Sequence, residues 1–274
     1  MAAEDLRERR TSVEMLIVLK YGGNAMTAGA DDPVLDEIAA LARTGTSVVV
    51  VHGGGPQIDA ALKLQHIPEE RIDGLRVTSA AVRDVVEAVL CGTVNKDLVR
   101  GLLARGARAF GFAGQDAGIL TARRMTVPGG DLGYVGEPIG VDATLLRGLL
   151  GLGVLPVIAP LGLDPVENVA LNLNADTAAG AIAAALEADA YVVLTNVAGV
   201  RRDRRDPTTV IARLTIAEAQ SLLDDGTFTD GMRPKMRAAI EAVAGGARRA
   251  LIAEAARDGI ATALAGAGTE LVHS

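Results

Sequence analysis

The chain has 274 residues, 49% of them hydrophobic, which is enough for one large α/β unit or two modest lobes. Its formal net charge of −7 argues against a nucleic-acid partner, and no run reaches the roughly 18 apolar residues of a membrane span. The single cysteine, Cys91, rules out an intramolecular disulfide and indicates the cytoplasm. Residues 1–14 are charged, so we expect a polar tail there rather than a secretory signal.

Two apolar segments near the beginning of the chain each lead into glycine. The first, Met15–Leu19, is followed by Lys20 and then by a pair of glycines, and the second, Val48–Val51, is followed by His52 and three glycines. A run of β-branched residues is typical of a parallel strand that is buried on both faces. Glycine turns at strand ends expose backbone N–H groups to anions, so both turns are candidate ligand sites. The alternatives are that the glycine turn after Val48–Val51 binds no ligand and that Lys20 is an ordinary surface lysine at a strand end.

Helices and strands alternate through the rest of the first half. The apolar spacing of Asp31–Arg43 and Ala80–Arg105 predicts helices, and we interpret Cys91, inside the second, as a small buried residue. Residues Ala107–Gly118 predict a third strand that ends at glycine. A glycine-rich segment, Leu120–Glu137, predicts a hairpin.

The second half continues the alternation. Residues Gly153–Pro160 and Tyr191–Leu194 predict strands, Leu163–Leu173 predicts a polar loop, and an alanine-rich helix begins around Asp176. The end of the chain, Ala250–Val272, predicts two short strands or a strand pair. This order predicts a three-layer αβα sandwich with a mainly parallel, open sheet.

The inventory of chemically active residues favours phosphoryl transfer. The sequence contains no CxxC, HExxH or GxSxG motif, so a protein-ligated metal ion and a serine hydrolase are both disfavoured. What is left is two lysines on glycine-bearing turns, Lys20 and Lys235, and one aspartate at a helix start, Asp176. Catalysis of phosphoryl transfer consists mostly of positioning and of stabilising negative charge, which cations and N–H groups can do.

Taken together, these features resemble the amino acid kinase family, and most closely its branch that phosphorylates N-acetyl-L-glutamate. The resemblance runs from about Met15 to Val272. Seven motifs carry it in this order: LKYGGNAM (Leu19–Met26), VVHGGGP (Val50–Pro56), DGLRVT (Asp73–Thr78), GTVNK (Gly92–Lys96), LPVIAP (Leu155–Pro160), NLNAD (Asn172–Asp176) and DGMRPK (Asp230–Lys235).

The resemblance implies a role for each matching residue. Lys20 and Lys235 would stabilise the transferring phosphoryl group, and Asp176 would organise both lysines. Arg76 would bind the α-carboxylate of the substrate, and Asn172 would hold its amide side. Glycine N–H groups would surround the substrate carboxylate (Gly53, Gly54), and further residues would contact the nucleotide (Gly22, Gly23, Thr195, Asn196, Gly199).

The resemblance also implies the reaction and the assembly. ATP with Mg²⁺ would phosphorylate the γ-carboxylate of N-acetyl-L-glutamate by direct in-line attack. The implied division is an N-terminal lobe for the acid and the dimer contact (residues 15–160) and a C-terminal lobe for the nucleotide (residues 161–274). We expect a homodimer that arginine does not inhibit, because the N-terminal tail is short and the end of the chain keeps little of the pattern of arginine-sensitive members.

Two departures and several alternatives accompany the resemblance. Asn196 stands where the family's nucleotide strand has aspartate, and Ala113–Ala117 replaces its usual SGKDG-like turn. The rival within the family is the kinase of carrier-protein-bound aminoadipate. A catalytically silent sensor is the binding-only alternative, and a dinucleotide-dependent oxidoreductase is disfavoured because GxGxxG is missing.

Overall fold

The structure is a computed structural model of the chain. It describes residues 15–22, 26, 32–72, 74–203, 205–206, 208–228 and 231–274. The predicted N-terminal tail and Gly23 therefore lie outside the described residues.

The described residues form strands and helices in alternation. The strands are β1 (Leu16–Tyr21), β2 (Ser47–His52), β3 (Arg71–Ile72), β4 (Leu75–Arg76), β5 (Ala109–Ala113), β6 (Leu120–Arg124), β7 (Val135–Val141), β8 (Leu155–Ala159), β9 (Leu161–Asp164), β10 (Val169–Leu173), β11 (Ala190–Thr195), β12 (Arg213–Thr215), β13 (Arg249–Glu254) and β14 (Thr269–Val272). The α-helices are α1 (Pro33–Arg43), α2 (Gly55–Leu64), α3 (Ala80–Glu87), α4 (Asn95–Ala104), α5 (Ala143–Gly151), α6 (Ala175–Ala185), α7 (Ile216–Asp224), α8 (Met232–Ala244) and α9 (Gly259–Leu264).

The main sheet has eight strands among the described residues, in the order β12-β14-β13-β11-β1-β2-β8-β5. Its neighbouring strands are parallel except for the pair β13 and β14, which confirms the predicted strand pair at the end of the chain. Because β1 lies between β2 and β11, the carboxyl ends of three strands meet at the middle of one sheet edge.

Helices cover both faces of this sheet, which confirms the predicted three-layer αβα sandwich. Alternate residues of β1 point to opposite faces, as the pleat of a strand requires. Ile17 and Leu19 pack in the layer of α1, α4 and α9. Val18 packs in the layer of α5, α6, α7 and α8. All three side chains are fully buried, as the unbroken apolar sequence of this strand predicts.

A second, closed sheet contains β6, β7, β9 and β10. The antiparallel pairing of β6 with β7 confirms the predicted hairpin. The predicted loop at Leu163–Leu173 is wrong, because most of it belongs to the antiparallel strands β9 and β10. The polar residues that suggested a loop form the turn between them, where Asp164 Oδ1 accepts from Val166 N at 2.8 Å. The sheet combines two strands that precede residue 160, β6 and β7, with two that follow it, β9 and β10. The predicted division into lobes at that residue stays a prediction.

The predicted helix at Ala80–Arg105 is continuous but not uniform. A π-helix, Ala88–Val94, separates α3 from α4. Such segments carry an i→i+5 bonding pattern and often lie beside functional sites. Here the segment presents Leu90 and Val94 to the glycine turn that follows β2. Over the part of the chain that is described, no helix has the length and apolarity to cross a bilayer.

Candidate active site

The structure brings the two predicted lysines and the predicted aspartate together. Lys20 lies at the carboxyl end of β1, Asp176 in the first turn of α6, and Lys235 near the start of α8. Lys20 Nζ is 3.3 Å from Asp176 Oδ1, and Lys235 Nζ is 3.1 Å from Asp176 Oδ2. The contact of Lys235 is a hydrogen bond, whereas that of Lys20 is an ion pair. One carboxylate therefore holds two ammonium groups.

The position of Asp176 follows from the way α6 begins. Asn174 is the N-cap of this helix, and its Oδ1 accepts from Asp176 N at 2.9 Å and from Thr177 N at 3.2 Å. From the neighbouring strand, the hydroxyl of Tyr191 donates to Asp176 O at 2.8 Å. Both contacts fix the backbone of Asp176, so its carboxylate points at the lysines from a rigid helix start.

Burial gives this cluster unusual electrostatics. Lys20 and Asp176 are only 7% and 4% exposed. Burial lowers the pKa of Lys20 below its ordinary value, the carboxylate of Asp176 opposes that shift, and the charge of Lys235 adds to it. Burial also raises the pKa of Tyr191 well above its ordinary range, so its hydroxyl stays a neutral donor. Two cations face one carboxylate, and an anion would complete the cluster.

The two glycine turns pack directly against each other beside this cluster. Gly53 N donates to Tyr21 O at 3.0 Å, which continues the pairing of β1 and β2 beyond the strands. Gly22 has φ +156, and a Cβ there would overlap the backbone nitrogen of Gly53. Only glycine fits this position, because the obstacle is backbone and cannot rotate away.

We expect Gly22→Ala to damage this junction. The added methyl group must push Gly53 away from Tyr21 or break their hydrogen bond, so both activity and the free energy of unfolding should fall. A matched control is Gly148→Ala on α5, where a Cβ meets open space and the helix should gain roughly 0.5–1 kcal/mol. Thermal melting and turnover of the two variants test this. Normal turnover and stability of Gly22→Ala would contradict it.

A cavity of about 210 Å³ opens next to the glycine turn of β2. Its wall combines glycine backbone and apolar side chains with a few polar groups. The polar and glycine members are Gly53, Gly54, Gly55, Arg71, Gly74, Arg76, Asn172 and Asn174. Apolar members include Ile58, Leu75, Leu90 and Val135. Mixed apolar and polar walls of this kind bind and orient small molecules. All four residues predicted to bind the acid, Gly53, Gly54, Arg76 and Asn172, thus line one cavity.

Arg76 lies on β4, the second short strand of the hairpin β3–β4. It is 7% exposed, and its guanidinium contacts two carboxylates. Nη2 donates to Asp59 Oδ1, and Nη1 lies 2.9 Å from Glu69 Oε1. Arg71 is the direct cross-strand partner of Arg76 and shares both carboxylates. The cavity wall therefore carries a compact group of two arginines and two acids.

Asn172 reaches the same wall from β10. Its Nδ2 donates to Thr78 Oγ1 at 3.2 Å, and that hydroxyl donates to Arg76 O at 2.9 Å. The backbone of Arg76 and the side chain of Asn172 are thereby linked through a buried threonine. This link sets the spacing between the amide and the guanidinium on the cavity wall.

The residues predicted to contact nucleotide follow β11, the neighbour of β1. Thr195 is buried, and its Oγ1 contacts Asn196 Oδ1 at 3.3 Å, while Asn196 itself is exposed. Gly199 is packed so tightly that a Cβ would meet Thr269 Oγ1 at 3.0 Å. Thr195 and Asn196 thus share the sheet edge with Lys20, whereas the immediate need for glycine at 199 is packing.

Sequence reasoning missed several residues of this site. Asn174 could have been found, since asparagine directly before an alanine-rich helix is a strong N-cap signal. Asp59 and Glu69 had no such signal. Cys91 is a free thiol whose pKa burial raises to about 12, with Glu87 and Asp116 adding to the shift. It is not an activated nucleophile. Among the described residues, no group of three His, Cys, Asp or Glu side chains is placed to hold a metal ion.

Comparison with known proteins agrees with this geometry. Residues 15–254 match the model of the amino acid kinase family. The chain belongs to the amino acid kinase family, which confirms the resemblance that the seven sequence motifs indicated.

Its relatives point to one member of that family. The chain is 47% identical over 253 residues to the acetylglutamate kinase of Acidiphilium cryptum (strain JF-5), covering 87% of this chain and 82% of the relative. It is 46% identical over 241 residues to that of Parasynechococcus marenigrum (strain WH8102), covering 87% and 81%. Among solved structures, smu.665 of Streptococcus mutans UA159 superposes with a TM-score of 0.80 at 30% identity, covering 94% of this chain and 99% of that one.

Proposed function

We infer that this chain is an ATP-dependent kinase that phosphorylates the γ-carboxylate of N-acetyl-L-glutamate, the acetylglutamate kinase reaction of arginine biosynthesis. Names and identities of 46% and 47% among relatives support the substrate. The observation that carries the chemistry is the pair of ammonium groups, Lys20 and Lys235, on the single buried carboxylate of Asp176.

The proposed chemistry follows from that charge arrangement. A γ-carboxylate oxygen attacks the γ-phosphorus of ATP, the bond to the β-phosphate oxygen breaks, and ADP leaves. Negative charge spreads over the phosphoryl oxygens in the transition state. Lys20 and Lys235 stabilise that charge, and Asp176 keeps both ammonium groups in place. Because the cluster is nearly dry, each interaction is stronger than it would be in water.

The cavity supports the choice of an acylated amino acid. N-acetyl-L-glutamate is small and dianionic, with one neutral amide and one methyl group. Arg76 offers a guanidinium for the α-carboxylate, Asn172 offers an amide, and Ile58 and Leu90 offer apolar wall. The α-carboxylate would take the place of Asp59 or Glu69 on Arg76, so binding is an exchange of carboxylates on one guanidinium.

Mg²⁺ enters this proposal as part of the nucleotide. The donor set supports a metal held through phosphates, because the described residues offer no cluster of three acidic or imidazole ligands. That mode is usual for Mg²⁺, which keeps several waters and binds through substrate phosphates. When bound, Mg²⁺ would neutralise phosphate charge. The protein's own contribution to neutralising this charge would come from Lys20 and Lys235.

Trapping of the product tests the function. Hydroxylamine converts an acyl phosphate into a stable hydroxamate. When N-acetyl-L-glutamate and ATP are both supplied, the protein should therefore release ADP and form hydroxamate in equal amounts. Free L-glutamate should be turned over poorly, because its ammonium group replaces the neutral amide. Carrier-protein-bound aminoadipate is the competing substrate. Turnover of the carrier-bound substrate alone, or no hydroxamate with either, would overturn the proposal.

We expect Arg76→Met to raise KM for N-acetyl-L-glutamate by roughly 10- to 100-fold, since a hydrogen bond to a charged group contributes about 1.5–3 kcal/mol. The variant also leaves the carboxylates of Asp59 and Glu69 without their buried arginine partner, and these carboxylates would repel the anionic substrate. KM for ATP should change little. The matched control is Arg100→Met, an exposed arginine paired with Asp97 on α4. An unchanged KM for the acid in folded Arg76→Met would contradict the assignment.

A homodimer in the cytoplasm completes the proposal. Strand β5 ends the main sheet, and Phe110 on it is 52% exposed. Leu152, 62% exposed, lies near the start of this strand, where its carbonyl oxygen accepts from Arg108 Nη1 at 2.9 Å. An apolar sheet edge suits a second copy of the chain. Sedimentation should show a dimer, and L-arginine should not inhibit turnover. A hexamer that arginine inhibits would refute this part of the proposal.

A further inference from the structure

A buried histidine lies directly under the glycine turn that lines the cavity. His52 is the last residue of β2 and is completely buried. Its Nδ1 is 3.0 Å from Gly53 O, and its Nε2 is 3.1 Å from Asn95 Nδ2. Nothing in the proposed chemistry uses this side chain, yet it contacts the backbone of a cavity residue.

The hydrogen-bond network fixes which ring nitrogen carries the proton. Lys96 has only donors, and its Nζ lies 3.0 Å from Asn95 Oδ1 and 2.7 Å from Gly111 O. The carboxamide oxygen of Asn95 is therefore the acceptor, and its NH₂ group faces His52 Nε2 and Val157 O, the latter at 2.9 Å. Nε2 accepts, so Nδ1 carries the hydrogen and donates to Gly53 O.

Burial reinforces the neutral form of this histidine. Burial and, to a smaller extent, the nearby charge of Lys96 lower the pKa of His52 to about 4, although the contact with Gly53 O opposes the shift. A neutral ring with its hydrogen on Nδ1 is thus the state that the surroundings support at neutral pH.

The contact with Gly53 O sets the direction of the next N–H group. In a trans peptide the C=O of one residue and the N–H of the next point in opposite directions, and the described residues contain no cis peptide. With Gly53 O held toward the buried histidine, Gly54 N–H points away from it. Gly54 lines the cavity, and its N–H has no hydrogen-bond partner among the described residues.

We propose that His52 is a positioning residue: as a neutral Nδ1–H donor held by Asn95 and Lys96, it orients the Gly53–Gly54 peptide so that Gly54 N–H faces an oxygen of the bound acid or phosphoryl group. This proposal rests on the proposed kinase function. It assigns the lysine of the GTVNK segment to the support of a glycine turn rather than to phosphate.

Matched variants at position 52 test the role. Asparagine carries its Nδ2 where histidine carries Nδ1, so His52→Asn keeps the donor to Gly53 O, whereas His52→Leu removes it. A peptide that is free to turn should lower kcat/KM by about 10²-fold in His52→Leu, and His52→Asn should recover at least tenfold of that loss. His66→Asn, at an exposed histidine, is the control and should behave as the parent. Equal kcat/KM per folded molecule in His52→Leu and the parent would overturn the proposal.

A second measurement does not depend on turnover. The chain has three histidines, so ¹⁵N-labelled ring nitrogens can be assigned by comparison with His52→Asn. We expect the bare nitrogen of His52 to correlate with both ring C–H protons, as Nε2 does, and Lys96→Met to weaken this preference. A bare Nδ1 would overturn the proposal even if the kinase assay succeeds. Failure of the assay with the expected tautomer present would instead refute the function and leave the hydrogen-bond network standing.

Discussion

Replacing Lys20 or Lys235 by methionine is expected to lower kcat by about 10²-fold or more, the usual effect of removing one preorganised donor from a transition state. Methionine keeps much of the apolar stem, so packing around Asp176 should survive. KM values should change less than kcat, because the charge that these ammonium groups stabilise develops mainly during transfer. Steady-state kinetics with N-acetyl-L-glutamate and ATP provide the measurement.

Lys63→Met supplies the comparison for this experiment. Lys63 is exposed on α2, and its loss should leave kcat unchanged. Melting temperatures separate a catalytic loss from unfolding. If Lys20→Met and Lys235→Met both turn over like Lys63→Met, the cluster has no part in catalysis and the proposed chemistry fails.

Replacing Asp176 by asparagine is expected to be at least as damaging as either lysine variant. Lys20 is buried, and the carboxylate of Asp176 is the influence that opposes the lowering of its pKa by burial. Without that carboxylate the pKa of Lys20 falls further below its ordinary value. Lys20 then loses its proton at a lower pH than in the parent, so one substitution weakens the hold of Lys20 on its charge and removes the anchor of Lys235.

The pH profile gives this prediction a sign. Activity requires protonated Lys20 and is lost as pH rises through its folded-state pKa. The alkaline limb of kcat/KM should therefore move to lower pH in Asp176→Asn. Combining Asp176→Asn with Lys20→Met should cost little more than Asp176→Asn alone, because the two residues act as a unit. An unmoved limb together with strictly additive losses would contradict the coupling.

The sequence predicted those parts of the molecule that local pattern determines. Runs such as Val48–Val51 indicate strands buried on both faces, and the glycines after them indicate turns at one sheet edge. Lys20 and Asp176 could be placed near each other because a strand end and a helix start meet at that edge in a parallel sheet. The distant Lys235 was singled out in the same inventory of residues, and the family resemblance supplied its role beside Asp176 and the other residues of the site.

Contacts that no local pattern encodes were missed. The strands β9 and β10 carry Asp164 and Asn168 at their turn, residues that read as loop, and Asn168 has φ +53. The ion pairs of Arg76 join residues on separate elements whose charges have no periodic spacing. The extra residue of the π-helix is likewise invisible, because the apolar positions on either side of it suit one continuous helix.

That π-helix has a consequence for substrate size. Its winding pushes Leu90 so close to Gly54 that a Cβ there would lie 2.6 Å from the leucine Cδ2. Removal of one residue between Ala88 and Val94 would restore ordinary α-helical winding and turn the preceding residues by about 100°. The Leu90 side chain would then leave the cavity wall, and the cavity would widen on its apolar side. The winding of this helix thus determines how wide an acyl group the cavity accepts. Deletion of a single residue from the π-helix should therefore allow the kinase to accept bulkier acids.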